Sequence, residues 1–271
     1  MKSVLTIAGS DSCSGAGIQA DLKTMYAHGI YGLSVITSVT AQNTQTITNA
    51  QDVSPLIIGA QIDAIFEDIN VDAVKIGMLS NIDSIEVVAD RIKKYKPKNI
   101  VLDTVMVSKS GYNLLQPNAI NALVSQLIPL ATLITPNIPE AELITGVNII
   151  DEDSANMAIK KLTEIGAKNV LLKGGHLLGK PIDRLFDGTE THKFYSERID
   201  TKNTHGTGCT LSSAIAVNLA LGYDLKNACI NAKEYITMAI ANSIELGKGS
   251  GPVNHFYQLY KKAGMLNEIE K

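Results

Sequence analysis

The sequence alternates between short apolar runs and longer segments with helical spacing, and this alternation restricts the fold more than any other feature. The short runs are rich in β-branched residues and have the length of buried strands. The longer segments, such as 82–95 and 154–165, repeat apolar residues every three or four positions. Such βα alternation is typical of a doubly wound, mostly parallel central sheet flanked by helices, so we predict an α/β fold. The candidate strands are residues 4–8, 34–40, 73–76, 100–102, 133–135 and 170–172.

Two further patterns complete the predicted fold. Residues alternate around Asp187-Gly188-Thr189 between positions 184 and 198, which predicts a small antiparallel extension of the sheet. The alanine-rich segments 206–222 and 225–247 should be helices that pack on one face of the sheet. No internal repeat, low-complexity tract or flexible linker divides the 271 residues. We therefore expect a single domain that spans residues 1–271.

The composition favours a globular protein whose partner is a small molecule. Hydrophobic residues make up 45% of the chain and charged residues 19%, which is sufficient for a large core. The formal net charge of -3 creates no field that would attract nucleic acid or an anionic membrane. The first apolar run is too short to span a membrane. Three cysteines without a CxxC pair argue against a disulfide framework and a structural zinc site, so we expect a cytoplasmic protein.

Ligands of doubly wound sheets bind beyond the carboxyl ends of the parallel strands. This rule predicts that the residues following the candidate strands converge on one site. They are residues 9–17, Gln42, residues 77–78, Asp103, residues 137–140 and residues 173–176.

The segment HGTGCT at 205–210 leads directly into a long helical segment. Backbone N–H groups at such a helix start, together with the helix dipole, can bind phosphate oxygens. Gly206, Thr207 and Gly208 are therefore candidates for an anion hole, and an ordinary helix start capped by Thr207 is the alternative. Cys209 falls in the first turn, where we expect the dipole to lower the pKa of its thiol. The thiol could then act as a base towards a hydroxyl group; a small buried hydrophobe is the alternative.

The loop after the first strand reads GSDSCSGAG at 9–17. It lacks the GxGxxG spacing of dinucleotide-binding folds, and the chain contains no GxxxxGK[ST] phosphate loop, so a Rossmann dehydrogenase is disfavoured. Its small residues would let a flat ring approach the backbone closely. On the helix that follows, Asp21 is a candidate for hydrogen bonds to ring substituents or for steering magnesium. A flexible loop without a functional role is the alternative.

Several polar side chains follow the later strands. Asn137 and Glu140 lie one helical turn apart, and Asp103 adds another oxygen donor, a set that suits Mg²⁺ bound through water and nucleotide phosphates. The alternative is a capping box formed by Asn137 and Glu140. Lys173 ends a hydrophobic strand, where an ammonium can neutralise charge on a transferring phosphoryl group. His176 nearby is either a ligand or an ordinary loop residue.

Eight ordered blocks together resemble the bacterial hydroxymethylpyrimidine and phosphomethylpyrimidine kinases of thiamine biosynthesis, which belong to the ribokinase-like superfamily. The blocks span nearly the whole chain and read TIAGSDS at 6–12, GAGIQADLKT at 15–24, VTAQNT at 39–44, KIGML at 75–79, DTVMV at 103–107, TPN at 135–137, KGGH at 173–176 and GTGCT at 206–210. The resemblance implies two successive phosphoryl transfers from ATP with Mg²⁺. The acceptors would be 4-amino-5-hydroxymethyl-2-methylpyrimidine and then its monophosphate, and the protein would be a homodimer.

The resemblance also implies roles for individual residues. Gln42 would hydrogen-bond the aminopyrimidine edge, and Gly9, Met78 and Val105 would line the ring pocket. Cys209 would occupy the catalytic position where sugar kinases of the superfamily use aspartate. The backbone of residues 206–209 would form the anion hole.

Pyridoxal kinase of vitamin B6 salvage is the nearest alternative, because some relatives with a similar glycine and cysteine block phosphorylate the vitamin B6 ring. Gln42 and the KGGH block look like the pyrimidine enzymes. Cys209 and Gln42 disfavour a sugar kinase, and the presence of Cys209, Lys173 and the glycine turn disfavours a non-catalytic sensor. Two departures from the common pattern, Cys13 and Thr104, remove no proposed functional group.

Overall fold

The computed structural model describes residues 1–108, 111–175 and 181–266. Within these ranges nine strands form one sheet, in the order β3-β2-β1-β4-β5-β6-β7-β8-β9. The strands are β1 (Ser3–Asp11), β2 (Tyr31–Gln42), β3 (Ile47–Asp52), β4 (Ala73–Ile76), β5 (Ile100–Leu102), β6 (Leu133–Ile134), β7 (Val170–Leu172), β8 (Ile182–Phe186) and β9 (Thr191–Tyr195). The α-helices are α1 (Gly17–Ala27), α2 (Pro55–Phe66), α3 (Ile82–Tyr95), α4 (Ile120–Ala122), α5 (Ile138–Thr145), α6 (Glu152–Glu164), α7 (Thr207–Ala220), α8 (Leu225–Ala241) and α9 (Tyr257–Lys262). Short 3₁₀ and π turns flank α4 at Pro117–Ala119, Leu123–Leu127 and Ile128–Leu130.

The centre of the sheet is parallel and its edges are antiparallel. β1 pairs in parallel with β2 and with β4, and parallel pairing continues from β4 to β7. Antiparallel pairs join β3 to β2, β8 to β7 and β9 to β8. Because β1 lies between β2 and β4, the strand order reverses there. A crevice forms at such a point, outside the carboxyl ends of the strands, and the loops after these strands open into it.

Side chains on the central strands alternate between two apolar cores, because successive residues of a strand point to opposite faces. On β1, Leu5 and Ile7 pack with the apolar faces of α2, α3 and α6, whereas Val4 packs with α7 and α8. Residues 210–220 of α7 are all buried, and its first turn is partly exposed. The first turn of α7 is therefore the part of this helix that can contact a ligand.

The predicted α/β architecture is confirmed. The candidate strands 73–76, 100–102 and 170–172 coincide with β4, β5 and β7, and the predicted hairpin is β8 and β9. The sequence does not predict β3, whose residues are mostly polar and exposed and which is held at the sheet edge by antiparallel pairing with β2. Among the helices of the described ranges, none is both long enough and apolar enough to cross a membrane.

Candidate active site

The residues that follow the parallel strands converge on one cleft of about 1550 Å³. A single small ligand needs roughly 300–1,000 Å³, so this cleft has room for a nucleotide and a second substrate. The sequence-predicted residues that line it are Gly9, Gln42, Met78, Asp103, Val105, Asn137, Glu140, Lys173, Gly206, Thr207, Gly208 and Cys209. Asp21 is absent from the cleft lining.

The start of α7 forms the candidate anion hole. Gly206 is the N-cap residue, has a φ of 80°, and leaves the helix without a side-chain cap. Thr207 is therefore the first residue of the helix and does not act as its cap. A Cβ at position 206 would lie 1.8 Å from the carbonyl oxygen of Gly15, so only glycine fits there. The residues of the first turn line the cleft without a side-chain cap. The Thr207 N–H makes a long contact of 3.4 Å with the Thr204 carbonyl oxygen, and an anion in the cleft can accept hydrogen bonds from the N–H groups at this helix start.

Lys173 and Asp103 form an ion pair beside this helix start. Lys173 Nζ donates to Asp103 Oδ1 at 2.9 Å, and Thr135 Oγ1 donates to the same oxygen at 3.1 Å. A Cβ on Gly208 would lie 3.6 Å from Lys173 Nζ, so the ammonium lies against the first turn of α7. A phosphoryl group bound here would face a cation and a helix N-terminus together. His176 lies outside the described residues.

Burial and charge act in opposite directions on this ion pair. Burial alone would raise the pKa of the Asp103 carboxyl, but the ammonium groups of Lys173 and Lys75 hold that pKa below its ordinary value. Burial would lower the pKa of Lys173, but Asp103 and Glu140 raise it above its ordinary value. Both partners are consequently charged at neutral pH, and Lys173 is available as a cation.

Asn137 and Glu140 form the capping box of α5 and also line the cleft. Asn137 Oδ1 accepts a hydrogen bond from the Glu140 backbone at 2.9 Å, and Glu140 Oε2 accepts one from the Asn137 backbone at 2.9 Å. Thr104 Oγ1 donates to Glu140 Oε2 at 3.0 Å. Burial raises the pKa of Glu140, and the nearby Asp103 carboxylate raises it further although Lys173 opposes the rise. Capping thus holds two oxygen-bearing side chains at the cleft, so the two interpretations of this motif are compatible.

Gly9, Gln42, Met78 and Val105 line another part of the cleft. A Cβ on Gly9 would lie 3.0 Å from Met78 Sδ, so glycine leaves room beside the methionine side chain. Gln42 Oε1 accepts a hydrogen bond from Thr40 Oγ1 at 3.1 Å, which restrains the amide. This part of the cleft offers apolar walls and one polar amide to a ligand.

His205 contacts both Asp11 and Gln42 in a network that the sequence does not predict. His205 Nε2 lies 2.8 Å from Asp11 Oδ2 and 3.3 Å from Gln42 Nε2. Asp11 Oδ2 also accepts hydrogen bonds from the backbones of Gly15 and Ala16 at 3.0 and 2.9 Å. The network joins the β1–α1 loop, the end of β2 and the residue before the glycine turn. Asp11 and His205 each lie beside a glycine-rich segment, and this is the only signal for them in the sequence. Their pairing has no local signal because the two residues are 194 positions apart.

The sequence predicts that Asp21 contacts the substrate ring or steers magnesium, and the position of its side chain contradicts this prediction. Its side chain is fully buried and points into the protein between α1, β1, β4 and α7. Asp21 Oδ2 accepts hydrogen bonds from Thr6 Oγ1 at 2.6 Å and Lys75 Nζ at 2.9 Å, and Oδ1 accepts one from Ser213 Oγ at 2.6 Å. Internal partners therefore occupy the carboxylate, and it cannot reach a ligand in the cleft.

Cys209 lies in the first turn of α7 and lines the cleft, but the expected lowering of its thiol pKa is wrong. Burial raises that pKa to about 11. The Lys75 ammonium and the backbone N–H of Gly17 favour the thiolate, whereas the carboxylates of Asp21 and Asp103 disfavour it. Desolvation outweighs the effect of the helix start, so the neutral thiol is the main form at neutral pH.

Comparison with known proteins shows which family this chain belongs to. The family model described as phosphomethylpyrimidine kinase matches residues 11–254, a range that includes most of the cleft residues. The chain belongs to the phosphomethylpyrimidine kinase family.

The chain is similar over nearly its whole length to two further proteins. It is 50% identical over 262 residues to the hydroxymethylpyrimidine/phosphomethylpyrimidine kinase of Rhizobium meliloti, which covers 95% of this chain and 98% of that protein. It is 54% identical over 254 residues to the thiamine biosynthesis bifunctional protein ThiED of Geobacter sulfurreducens, which covers 93% of this chain. The chain spans about half the length of that bifunctional relative, since the match covers 52% of it.

This phosphomethylpyrimidine kinase also resembles a solved structure. The ADP complex of Bacillus subtilis pyridoxal kinase matches with a TM-score of 0.88 and 42% identity, and the match covers 94% of this chain and 97% of that one. The match confirms the predicted ribokinase-like fold. Family membership makes the chain a kinase and a transferase that uses ATP.

Proposed function

We propose that this kinase phosphorylates 4-amino-5-hydroxymethyl-2-methylpyrimidine on its hydroxymethyl oxygen and then phosphorylates the resulting monophosphate, with ATP as the donor in both steps. The observation that carries the proposal is the continuity of the cleft. One cavity contains the pocket around Gln42 and the cationic site formed by Lys173 and the start of α7. The Rhizobium meliloti relative, named for both acceptors, supports this choice of substrate.

The pocket around Gln42 fits a flat heteroaromatic ring with an amino group. The Gln42 amide has both a donor and an acceptor, as recognition of an aminopyrimidine edge requires. Gly9, Met78 and Val105 provide the small and apolar surroundings that a ring needs. In our proposal this pocket holds the ring so that the hydroxymethyl group points towards Lys173 and α7.

Transfer would depend mainly on positioning and charge neutralisation, because the transition states of phosphoryl transfer are loose. Lys173 would neutralise charge on the transferring phosphoryl group, and the backbone of Gly206, Thr207 and Gly208 would donate hydrogen bonds to its oxygens. Asn137 lines the same cleft and would bind the nucleotide phosphates.

Asp103 and Glu140 have the hard oxygen ligands that Mg²⁺ prefers. Burial raises the pKa of the Glu140 carboxyl and the Asp103 carboxylate raises it further, and a divalent cation near both groups would relieve their repulsion. Two carboxylates leave most coordination positions to water and phosphate oxygens, as is usual for Mg²⁺ in kinases. When bound, Mg²⁺ would supply neutralisation of the phosphate charges.

The two transfers differ in their need for a base. The hydroxymethyl oxygen must lose a proton when it attacks, whereas a phosphate acceptor at neutral pH is already charged. We therefore assign Cys209 to the first transfer, where its thiolate form would accept that proton. The second transfer should depend little on Cys209.

A homodimer in the cytoplasm and a single domain over residues 1–271 complete the proposal, by analogy with the family that the sequence resembles. Light scattering of the purified protein tests the dimer directly, since a monomeric mass would contradict it.

The test of the proposed function is product formation from Mg-ATP with the hydroxymethylpyrimidine, its monophosphate and pyridoxal in parallel, resolved by mass spectrometry. We expect a pyrimidine diphosphate from either pyrimidine. A Lys173→Met preparation is the matched control for contaminating host kinases and should form product at least about 100-fold more slowly. Pyridoxal phosphate without pyrimidine products would instead assign the chain to the activity named for the Bacillus subtilis structure, and no product from any acceptor would contradict the proposal.

A further inference from the structure

A buried ion pair beneath the cleft has no role in the mechanism described above. Lys75 on β4 and Asp21 on α1 both have fully buried side chains, and Lys75 Nζ lies 2.9 Å from Asp21 Oδ2. Taking two charges out of water costs several kcal/mol per ion, and an apolar pair of similar volume is often as stable or more stable. Stability alone therefore does not explain an ion pair at this place.

The surroundings of the pair hold the two charges in fixed positions. Asp21 accepts hydrogen bonds from Thr6 Oγ1, Lys75 Nζ and Ser213 Oγ at 2.6 to 2.9 Å. These donors come from β1, β4 and α7, so three elements of the fold fix the carboxylate. The carboxylate in turn fixes the ammonium.

The helices that hold the pair also hold Cys209. Ser213 lies four residues after Cys209 on α7, so the two side chains share one face of that helix, and Ser213 contacts Asp21. Gly17 lies four residues before Asp21 on α1, and its backbone N–H stabilises the Cys209 thiolate. The Cys209 sulfur and the ion pair therefore lie against the same face of α1 and the same face of α7.

Lys75 reaches the ligand-binding edge of the sheet although it belongs to a buried strand. A Cβ on Gly77, just beyond the end of β4, would lie 2.6 Å from Lys75 Nζ. The next residue, Met78, lines the cleft. The ammonium thus lies directly behind the cleft wall.

Four charged groups act on the Cys209 sulfur. Lys75 and Lys173 are attracted to its thiolate, whereas Asp21 and Asp103 repel it. Among the charges, Lys75 has the largest influence on the Cys209 thiol, ahead of Asp21 and Asp103. Each lysine is paired with a carboxylate, Lys173 with Asp103 and Lys75 with Asp21, and of the two cations Lys75 has the stronger effect on the sulfur.

We propose that the Lys75–Asp21 pair promotes the first phosphoryl transfer by stabilising the thiolate form of Cys209. Lys75 is a positioning residue that acts through Cys209, and Asp21 holds it in place. In the step itself the hydroxymethyl oxygen forms a bond to the γ-phosphorus and gives its proton to the Cys209 thiolate. The bond from that phosphorus to the bridging oxygen breaks, and ADP leaves with the electron pair. The inference rests on the proposed function, because it assigns the pair to one of the two proposed transfers.

The test uses Lys75→Met, the double variant Lys75→Met/Asp21→Asn, and Lys2→Met as a matched control. Lys2 forms an ion pair with Asp72 at 2.7 Å at the opposite end of the same strands, so its removal leaves the cleft unchanged. The first measurement is the rate at which iodoacetamide alkylates Cys209 at pH 8, followed on the peptide by mass spectrometry. We expect Lys75→Met to slow alkylation about tenfold, since a nearby opposite charge shifts a pKa by one unit or more. The double variant should lie between Lys75→Met and the wild type, because it also loses the repulsion from Asp21.

The second measurement separates the two transfers in single turnovers. Lys75→Met should slow transfer to the hydroxymethyl group about tenfold and change transfer to the monophosphate less than about threefold. Equal losses in both transfers, or wild-type alkylation of Cys209, would overturn the inference and leave the pair with a structural role. If Lys75→Met does not fold, the double variant carries the test, because it buries no unpaired charge. Its alkylation should still be slower than that of the wild type, and equal rates would contradict the inference.

Failure of the proposed function gives a different result. A chain that phosphorylates neither pyrimidine contradicts the assignment of the pair to the first transfer and the proposed function together. A chain that phosphorylates both pyrimidines while Lys75→Met slows both equally contradicts only the inference.

Discussion

Gly206→Ala should disrupt the candidate anion hole by a displacement that the structure specifies. A Cβ there lies 1.8 Å from the carbonyl oxygen of Gly15, whereas real Cβ contacts are not shorter than 3.0 Å. The β1–α1 loop or the start of α7 must therefore move by about 1 Å. The left-handed φ of 80° adds a strain of about 1–2 kcal/mol for any residue with a Cβ. A misplacement of about 1 Å at a catalytic site can cost about 100-fold in rate, so kcat should fall about 100-fold in both transfers.

Gly222→Ala is the matched control for this substitution. Gly222 follows the other end of α7, has a φ of 95°, and has no atom within 4 Å of its Cβ position. It therefore imposes a similar backbone strain without the clash, and kcat should equal that of the wild type while the free energy of unfolding falls by about 1 kcal/mol. Single-turnover kinetics with both pyrimidine acceptors, together with urea unfolding, check both variants. The reasoning is refuted if Gly206→Ala keeps kcat within about threefold of the wild type, or if Gly222→Ala loses as much activity.

Three further predictions concern the cation, the ring pocket and pH. Lys173→Met should lower kcat about 100- to 1000-fold in both transfers, because both need the charge on the phosphoryl group neutralised; a rapid-quench assay showing loss in one transfer alone would contradict this role. Gln42→Ala should raise KM for the hydroxymethylpyrimidine about tenfold and leave KM for ATP unchanged, and steady-state kinetics showing equal rises would argue against ring recognition by Gln42. Burial lowers the pKa of His255 from 6.5 to about 4, so the unfolded chain binds a proton below pH 6.5 that the folded chain excludes until about pH 4. His255 should therefore contribute a fall of about 2 kcal/mol in the free energy of unfolding between pH 7.5 and 5.0, a contribution that His255→Gln loses; equal pH dependence of urea unfolding in the two proteins would contradict this account.

The strands were predictable because the cues that specify them are local. β5 and β7 are short runs of apolar residues that are buried on both sides of the sheet, so hydrophobicity alone reveals their limits, and β4 has the same character except for the buried Lys75. β3 has no such run. β3 forms because the edge of β2 offers hydrogen-bond partners to its backbone. A mostly polar segment that is held in this way has no periodic hydrophobic pattern that would predict a strand.

The cleft lining was largely predictable for a geometric reason. The carboxyl ends of parallel strands meet at one edge of a sheet, so polar residues after different strands must approach one another. The pairing of Lys173 with Asp103 follows from this rule, since they come after neighbouring parts of the sheet. Asp21 does not follow from it, because a position on a helix does not reveal whether a carboxylate faces the cleft or a buried lysine.

The sequence by itself determined the order of βα units, the glycine turn before α7 and the polar residues after the strands, because these depend on neighbours along the chain. Only the tertiary structure decided that His205 meets Asp11 and that Lys75 meets Asp21, since these pairs join distant segments. It also decided the charge state of Cys209. The helix start is visible in the sequence, but the burial that raises the pKa of the thiol arises from the packing of α1 and the strands around it.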